Sequence, residues 1–127
     1  MIISAQSIGT QSTNSGSWTP MPGLSLTLPE GVGVSALLIL NIPNPYATGS
    51  NFPGGNFCIQ VNGTAQSAYA SFTYNEQNPP STGRIPTTLT LTVPLSGTGT
   101  SSVVAVWSGV RGSTVHIDSP ATLTAVI

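Results

Sequence analysis

The side chains best equipped for recognition chemistry in this sequence are two arginines and a scatter of hydroxyl and aromatic groups near them. Arg84 lies in Pro79-Pro80-Ser81-Thr82-Gly83-Arg84, and Arg111 lies in Gly109-Val110-Arg111-Gly112-Ser113. Both have glycine beside them, where backbone can approach a partner closely. Lysine is absent. A guanidinium is a rigid fork of donors and an ammonium is a point charge, so arginine without lysine points to hydrogen bonding in which geometry matters. Tyr46, Thr73, Tyr74, Ser81 and Thr82 occupy segments that read as loops or strand ends. Guanidinium and hydroxyl groups match the alternating donors and acceptors of a neutral sugar, and an aromatic ring packs on the apolar C–H face of a pyranose. A purely structural reading competes, in which each arginine pairs with an acid; Arg111 with Asp118 is the first choice for such a pair.

Catalytic chemistry finds little to work with. His116 and Asp118 are two residues apart, so on a strand they share a face. A Ser-His-Asp site also needs a positioned serine, and no Gly-x-Ser-x-Gly elbow occurs. The pair reads as part of a structural or binding network, and a small hydrolase is the weakest of the readings. Glu30, Glu76 and Asp118 are the only acids, too few and too dispersed for a carboxylate pair or a calcium cluster. Cys58 is the single cysteine, which excludes an internal disulfide and a CxxC zinc site and reads as a small buried apolar residue. Gly31-Val32-Gly33 lacks the rest of a dinucleotide fingerprint. The expectation is a protein that is no enzyme and uses no metal or cofactor.

Composition narrows the partners further. The 127 residues hold five charged ones, 4% of the chain, where an ordinary domain has about 25%. Nucleic acid and anionic membrane are disfavoured, since both need clustered Lys and Arg. No apolar run reaches the length that spans a bilayer, so membrane insertion is not expected. Met1-Ile2-Ile3-Ser4-Ala5 has no basic region followed by a long apolar one, so no signal peptide is read there. Localisation is left open, with non-classical export or a cell-surface association among the routes. The length fits one domain over 1–127.

These side chains must be carried by strands. Eleven Pro and fourteen Gly interrupt any helical period. Leu24–Leu28, Thr88–Val93 and Thr122–Val126 alternate apolar and polar, which puts one row in a core and one in solvent. Ala36–Ile42 and Ser102–Trp107 are continuous apolar runs, expected of strands buried on both faces. Asn62-Gly63 predicts a two-residue hairpin turn between Cys58–Val61 and Thr64–Tyr69. Eight to ten short strands between regular turns predict an all-β fold, an antiparallel sandwich or jelly roll. The outward rows are Thr and Ser without the charges that keep strands from sticking to other chains, which points to an oligomer.

Several segments, taken in order, resemble the fucose-binding N-terminal domain of the Burkholderia superlectin, a lectin with a tumour-necrosis-factor-like (TNF-like) fold. They are Asn41-Ile42-Pro43-Asn44-Pro45-Tyr46-Ala47-Thr48-Gly49, Asn51-Phe52-Pro53-Gly54 and Phe72-Thr73-Tyr74. Ser81-Thr82-Gly83-Arg84-Ile85-Pro86, Val110-Arg111-Gly112-Ser113 and His116-Ile117-Asp118-Ser119 complete the set, which covers roughly the last two-thirds of the chain. The resemblance implies a homotrimer of jelly rolls binding fucosylated glycans without calcium, at sites between protomers. Tyr46, Ser81, Thr82 and Arg84 would come from one protomer and Thr73, Tyr74 and Arg111 from the next. From the residues alone, Asp118 is the natural candidate to orient Arg111. The chain departs from the pattern at Asn56, Tyr69 and Pro80, where the family carries a tyrosine and two acids. A structural trimeric jelly roll without sugar binding is the alternative.

Overall fold

Wherever apolar residues recur at period two, the chain is extended. The computed structural model describes residues 1–127 and contains twelve strands and no helix. They are β1 (Ile2–Gln6), β2 (Gln11–Thr13), β3 (Thr19–Leu28), β4 (Ser35–Ile42), β5 (Pro45–Thr48) and β6 (Gly54–Val61). β7 (Thr64–Ala65), β8 (Ala70–Thr73), β9 (Thr87–Pro94), β10 (Ser101–Val110), β11 (Thr114–Ile117) and β12 (Thr122–Val126) follow. The count exceeds the eight to ten expected because the short pieces β2, β7 and β11 carry too few residues for a readable alternation.

All the pairings are antiparallel, in three sheets. One has the order β1-β12-β4-β9, the second β3-β10-β6-β7 with β8 also paired to β6, and the third β2-β11-β5. Apart from the consecutive β6, β7 and β8, strands adjacent in sequence fall in different sheets, the interleaving of a jelly roll. Prolines sit where a missing N–H costs no ladder bond: Pro20 and Pro22 on the edge strand β3, Pro45 on β5 and Pro94 on β9.

The core lies between the sheets. Leu38, Leu40, Ile42, Leu89, Leu123 and Ala125 from the first meet Leu24, Leu26, Leu28, Phe57, Ile59, Val103 and Trp107 from the second. Val115 and Ile117 of β11 join them and so fix the third sheet to the body. The Asn62-Gly63 turn forms as read, with both residues at positive φ (49° and 81°). The strand expected after it stops at Ala65; the chain then crosses over Cys58, whose thiol faces the carbonyls of Gln66 and Ala68, and resumes as β8. Cys58 is fully buried as anticipated, and that burial pushes its thiol pKa up.

One expectation fails in the protomer. Ala36–Ile42 is not buried on both faces: β4 alternates, with Ala36, Leu38, Leu40 and Ile42 inward and Leu37 38% exposed on the outside. The reason is topological. No element of the same chain covers the outer face of this sheet. Ile2, Val126, Leu37 and Thr92 lie side by side across it, and the next row is Ser4, Thr124, Ile39 and Thr90. Neither row contains a charged residue.

Candidate functional site

The residues singled out from the sequence gather into two clusters, each centred on an arginine. The first is built on the third sheet. His116 of β11 is opposite Tyr46 of β5, and Ile117 is opposite Pro45. Cross-strand partners stand close enough to touch, and the Tyr46 and His116 rings stack with centroids 4.6 Å apart and planes 9° apart. His116 Nε2 is 3.1 Å from the Thr48 hydroxyl. The Ile85 amide donates to the Pro45 carbonyl (2.9 Å), which lays the strand-free segment 74–86 beside β5 and delivers Arg84 to Tyr46. The guanidinium Cζ lies 3.9 Å from the Tyr46 ring centroid, a cation–π contact. Arg84 Nη2 donates to Asp118 Oδ2, the chain's one ion pair, and Nη1 to the Thr82 carbonyl (3.4 Å).

Charge follows from these contacts. The hydrogen bond from Arg84 holds the Asp118 carboxyl below its usual range. Burial, then the nearby Arg84 charge, lowers the His116 pKa, so the imidazole is neutral around pH 7. Ser81 is exposed, with its hydroxyl unengaged by protein, and Thr82 is half-buried.

Arg111 centres the second cluster. The Ser113 amide donates to the Val110 carbonyl (2.9 Å), closing a turn in which Arg111 and Gly112 both have positive φ (48° and 75°). The left-handed position throws the Arg111 side chain back across the 51–54 segment. Its Nε donates to the carbonyls of Asn51 (3.0 Å) and Phe52 (3.1 Å), and Nη2 donates to the Phe52 carbonyl and the Thr73 hydroxyl (3.3 Å). Phe52 is itself left-handed, with φ 46°. Two uncommon backbone conformations thus meet at one hydrogen bond, the kind of stored strain that collects at functional sites. Gly54 permits this closeness, since a Cβ there would run into the Phe72 carbonyl of the paired strand. Phe52, Thr73, Tyr74, Asn75 and Arg111 line a concavity of about 420 Å³.

Tyr74 ties the clusters together. Its hydroxyl donates to the Gly83 carbonyl (2.6 Å) and accepts from the Ala47 amide (3.4 Å). Burial raises its pKa, so it stays a neutral phenol and a donor.

The pairing expected for Asp118 is corrected. It binds Arg84, not Arg111. The acid follows β11 and Arg111 precedes it, so the four residues of that strand, about 13 Å at 3.3 Å per residue, stand between them. His116 and Asp118 do not form a dyad either: one faces Thr48 and the other Arg84. The Tyr46 ring is engaged by Arg84 and His116 and holds the arginine in place. Phe52 and Asn75 were not singled out by type. Asn75 has only its place in a polar run to mark it, and Phe52 acts through its carbonyl, which no side-chain pattern reveals. No three of the chain's His, Cys, Asp and Glu side chains come together as metal ligands.

The family model of the Bc2l-C N-terminal domain matches residues 6–126, nearly the whole chain. The chain belongs to this Bc2l-C-like lectin family. Membership extends to the N-terminal third, where the motifs quoted above do not reach. Among solved structures, the chain is similar to the C-terminal domain of EclA, described as a sugar-binding protein, at 13% identity and a TM-score of 0.46. That alignment covers 89% of this chain and 76% of the other. No sequence among curated proteins matches the chain significantly.

Proposed function

We propose that this chain is a calcium-independent lectin for fucose and fucosylated glycans, that it is no enzyme, and that it works as a homotrimer of TNF-like jelly rolls with each sugar site between neighbouring protomers. The observation that carries the reading is that both arginines are fixed by this chain's own atoms in a family of lectins. Pre-set donors bind a small neutral ligand with little ordering cost. Arg84, Ser81 and Thr82 of one protomer would meet the sugar together with Arg111, Thr73 and Tyr74 of the next. Arginine and hydroxyl groups would satisfy the sugar hydroxyls directly, with no bridging cation.

The outer face of the β1-β12-β4-β9 sheet supports the assembly. Ile2 is 72% exposed, and Val126 and Leu37 (37% and 38%) lie beside it, with no charge in the row. A second copy seated there would cover them and restore the two-sided burial that the Ala36–Ile42 run leads one to expect. One site buries few atoms, so its affinity is modest, and three sites on one assembly raise avidity for a fucosylated surface. A glycan array probed with the purified protein in chelator tests the specificity. Signal confined to fucosylated glycans is expected, and signal on none of them contradicts the reading.

A further inference from the structure

Resting on the fucose reading, we infer that the outward row of β8 continues the Arg111 concavity into a second subsite, where Tyr69 and Trp18 take the sugar residue next to fucose in an oligosaccharide. Alternate residues of a strand share a face. Thr73, bonded to Arg111, therefore lies in line with exposed Ser71 and with Tyr69 just before the strand. From Thr73 to Tyr69 is about 13 Å at 3.3 Å per residue, a length that two linked pyranoses cover.

The far end of this row is aromatic. Tyr69 is 57% exposed, and its ring meets Trp18 at 6.0 Å between centroids and 66° between planes. An edge-on contact uses at most one face of either ring, so the exposed Tyr69 keeps a face for a sugar, with the half-buried Trp18 at its side. The pair lies outside the main apolar core, so its rings are not committed to packing there. Beneath the segment leading to Tyr69, Cys58 and its cross-strand partner Val106 are fully buried, which gives it a firm floor. Between the rings and Arg111 the lining is polar. Asn56 is opposite Ser71, and its amide donates to the Ser108 hydroxyl (3.3 Å), which leaves the Asn56 carbonyl oxygen as a free acceptor. No charged side chain stands among these residues. A row of hydroxyl, amide and ring faces without charge suits a neutral hexose or N-acetylhexosamine and not an acidic sugar.

The test compares methyl fucoside with a neutral fucosylated trisaccharide by calorimetry, on the unaltered protein and on Tyr69→Ala and Tyr69→Phe. One ring-packing contact makes the unaltered protein prefer the trisaccharide by about fivefold. Tyr69→Ala is expected to bring the trisaccharide down to the methyl fucoside level without altering methyl fucoside binding, while Tyr69→Phe keeps the preference. Trp18 fluorescence should respond to the trisaccharide and not to methyl fucoside; the other tryptophan, Trp107, is in the core. An unchanged preference in Tyr69→Ala overturns the subsite alone. Failure of the unaltered protein to bind methyl fucoside overturns the fucose reading and the subsite with it.

Discussion

The Arg84 guanidinium lies over the Tyr46 ring, its Cζ 3.9 Å from the centroid, while Asp118 accepts from the same guanidinium. Ring and carboxylate together fix a long side chain that would otherwise sample many rotamers. Both partners are contributed by the third sheet or its end, so the arginine is positioned by strand pairing and not by its own flexible loop.

Removing the ring should therefore cost binding more than folding. Tyr46→Ala is expected to weaken methyl fucoside binding about tenfold or more, as Arg84 loses its fixed pose. A partly exposed cation–π contact is worth only about 0.5–1 kcal/mol, so the melting temperature should shift little. Tyr46→Phe should keep most of the affinity. Calorimetry and thermal melts on the same samples separate the two effects.

Arg111 is held by two carbonyls and a hydroxyl on fixed backbone. Arg111→Lys is expected to lose sugar binding as fully as Arg111→Ala, because an ammonium cannot reproduce the fork. Circular dichroism should show both variants folded. Binding retained by the lysine variant would mean that charge and not geometry is used.

Acid should act through two groups of different range. The His116 pKa is lowered in the fold, so the unfolded chain binds its proton first. Stability then falls as pH drops from about 6.5, the ordinary histidine value, to the depressed one, and not further on that account. His116→Gln should flatten the melting temperature over that window. Asp118 is also depressed, by Arg84, so its pairing is intact above the ordinary carboxylate pKa near 3.9 and is lost as pH falls through the lower native value. Sugar binding measured down the same series should survive the first change and disappear in the second.

Much of the fold was legible in the chain. The alternation in Leu24–Leu28 and Thr122–Val126 became strands with the expected inward rows, and the Asn62-Gly63 turn has both residues left-handed. The run Ala36–Ile42 misled, because an apolar sequence reports that both faces want cover without saying which molecule supplies it. The site was legible by residue type and only partly by partner. Asp118 looked suited to Arg111 when only residues near in sequence were weighed, whereas β11 carries it away from Arg111 and the 74–86 segment brings Arg84 to it from 34 residues off. Phe52 was invisible as a site residue because its contribution is a backbone oxygen.

The uncovered row gives a separate prediction. Leu37→Glu puts a charge in the middle of the exposed apolar strip without touching the core. Light scattering should report a folded monomer in place of a trimer, and methyl fucoside binding should vanish with the assembly. A charged variant that remains trimeric would place the contact elsewhere.

In the proposed assembly each protomer contributes to a metal-free fucose site that only the trimer completes. Titration of methyl fucoside into the protein in chelator, with the molar mass measured by light scattering on the same sample, tests it most directly. A trimer that binds one sugar per chain, with binding unchanged by the chelator, is expected. A monomer that binds at full affinity, or a trimer that gives no saturable heat at millimolar sugar, would contradict it.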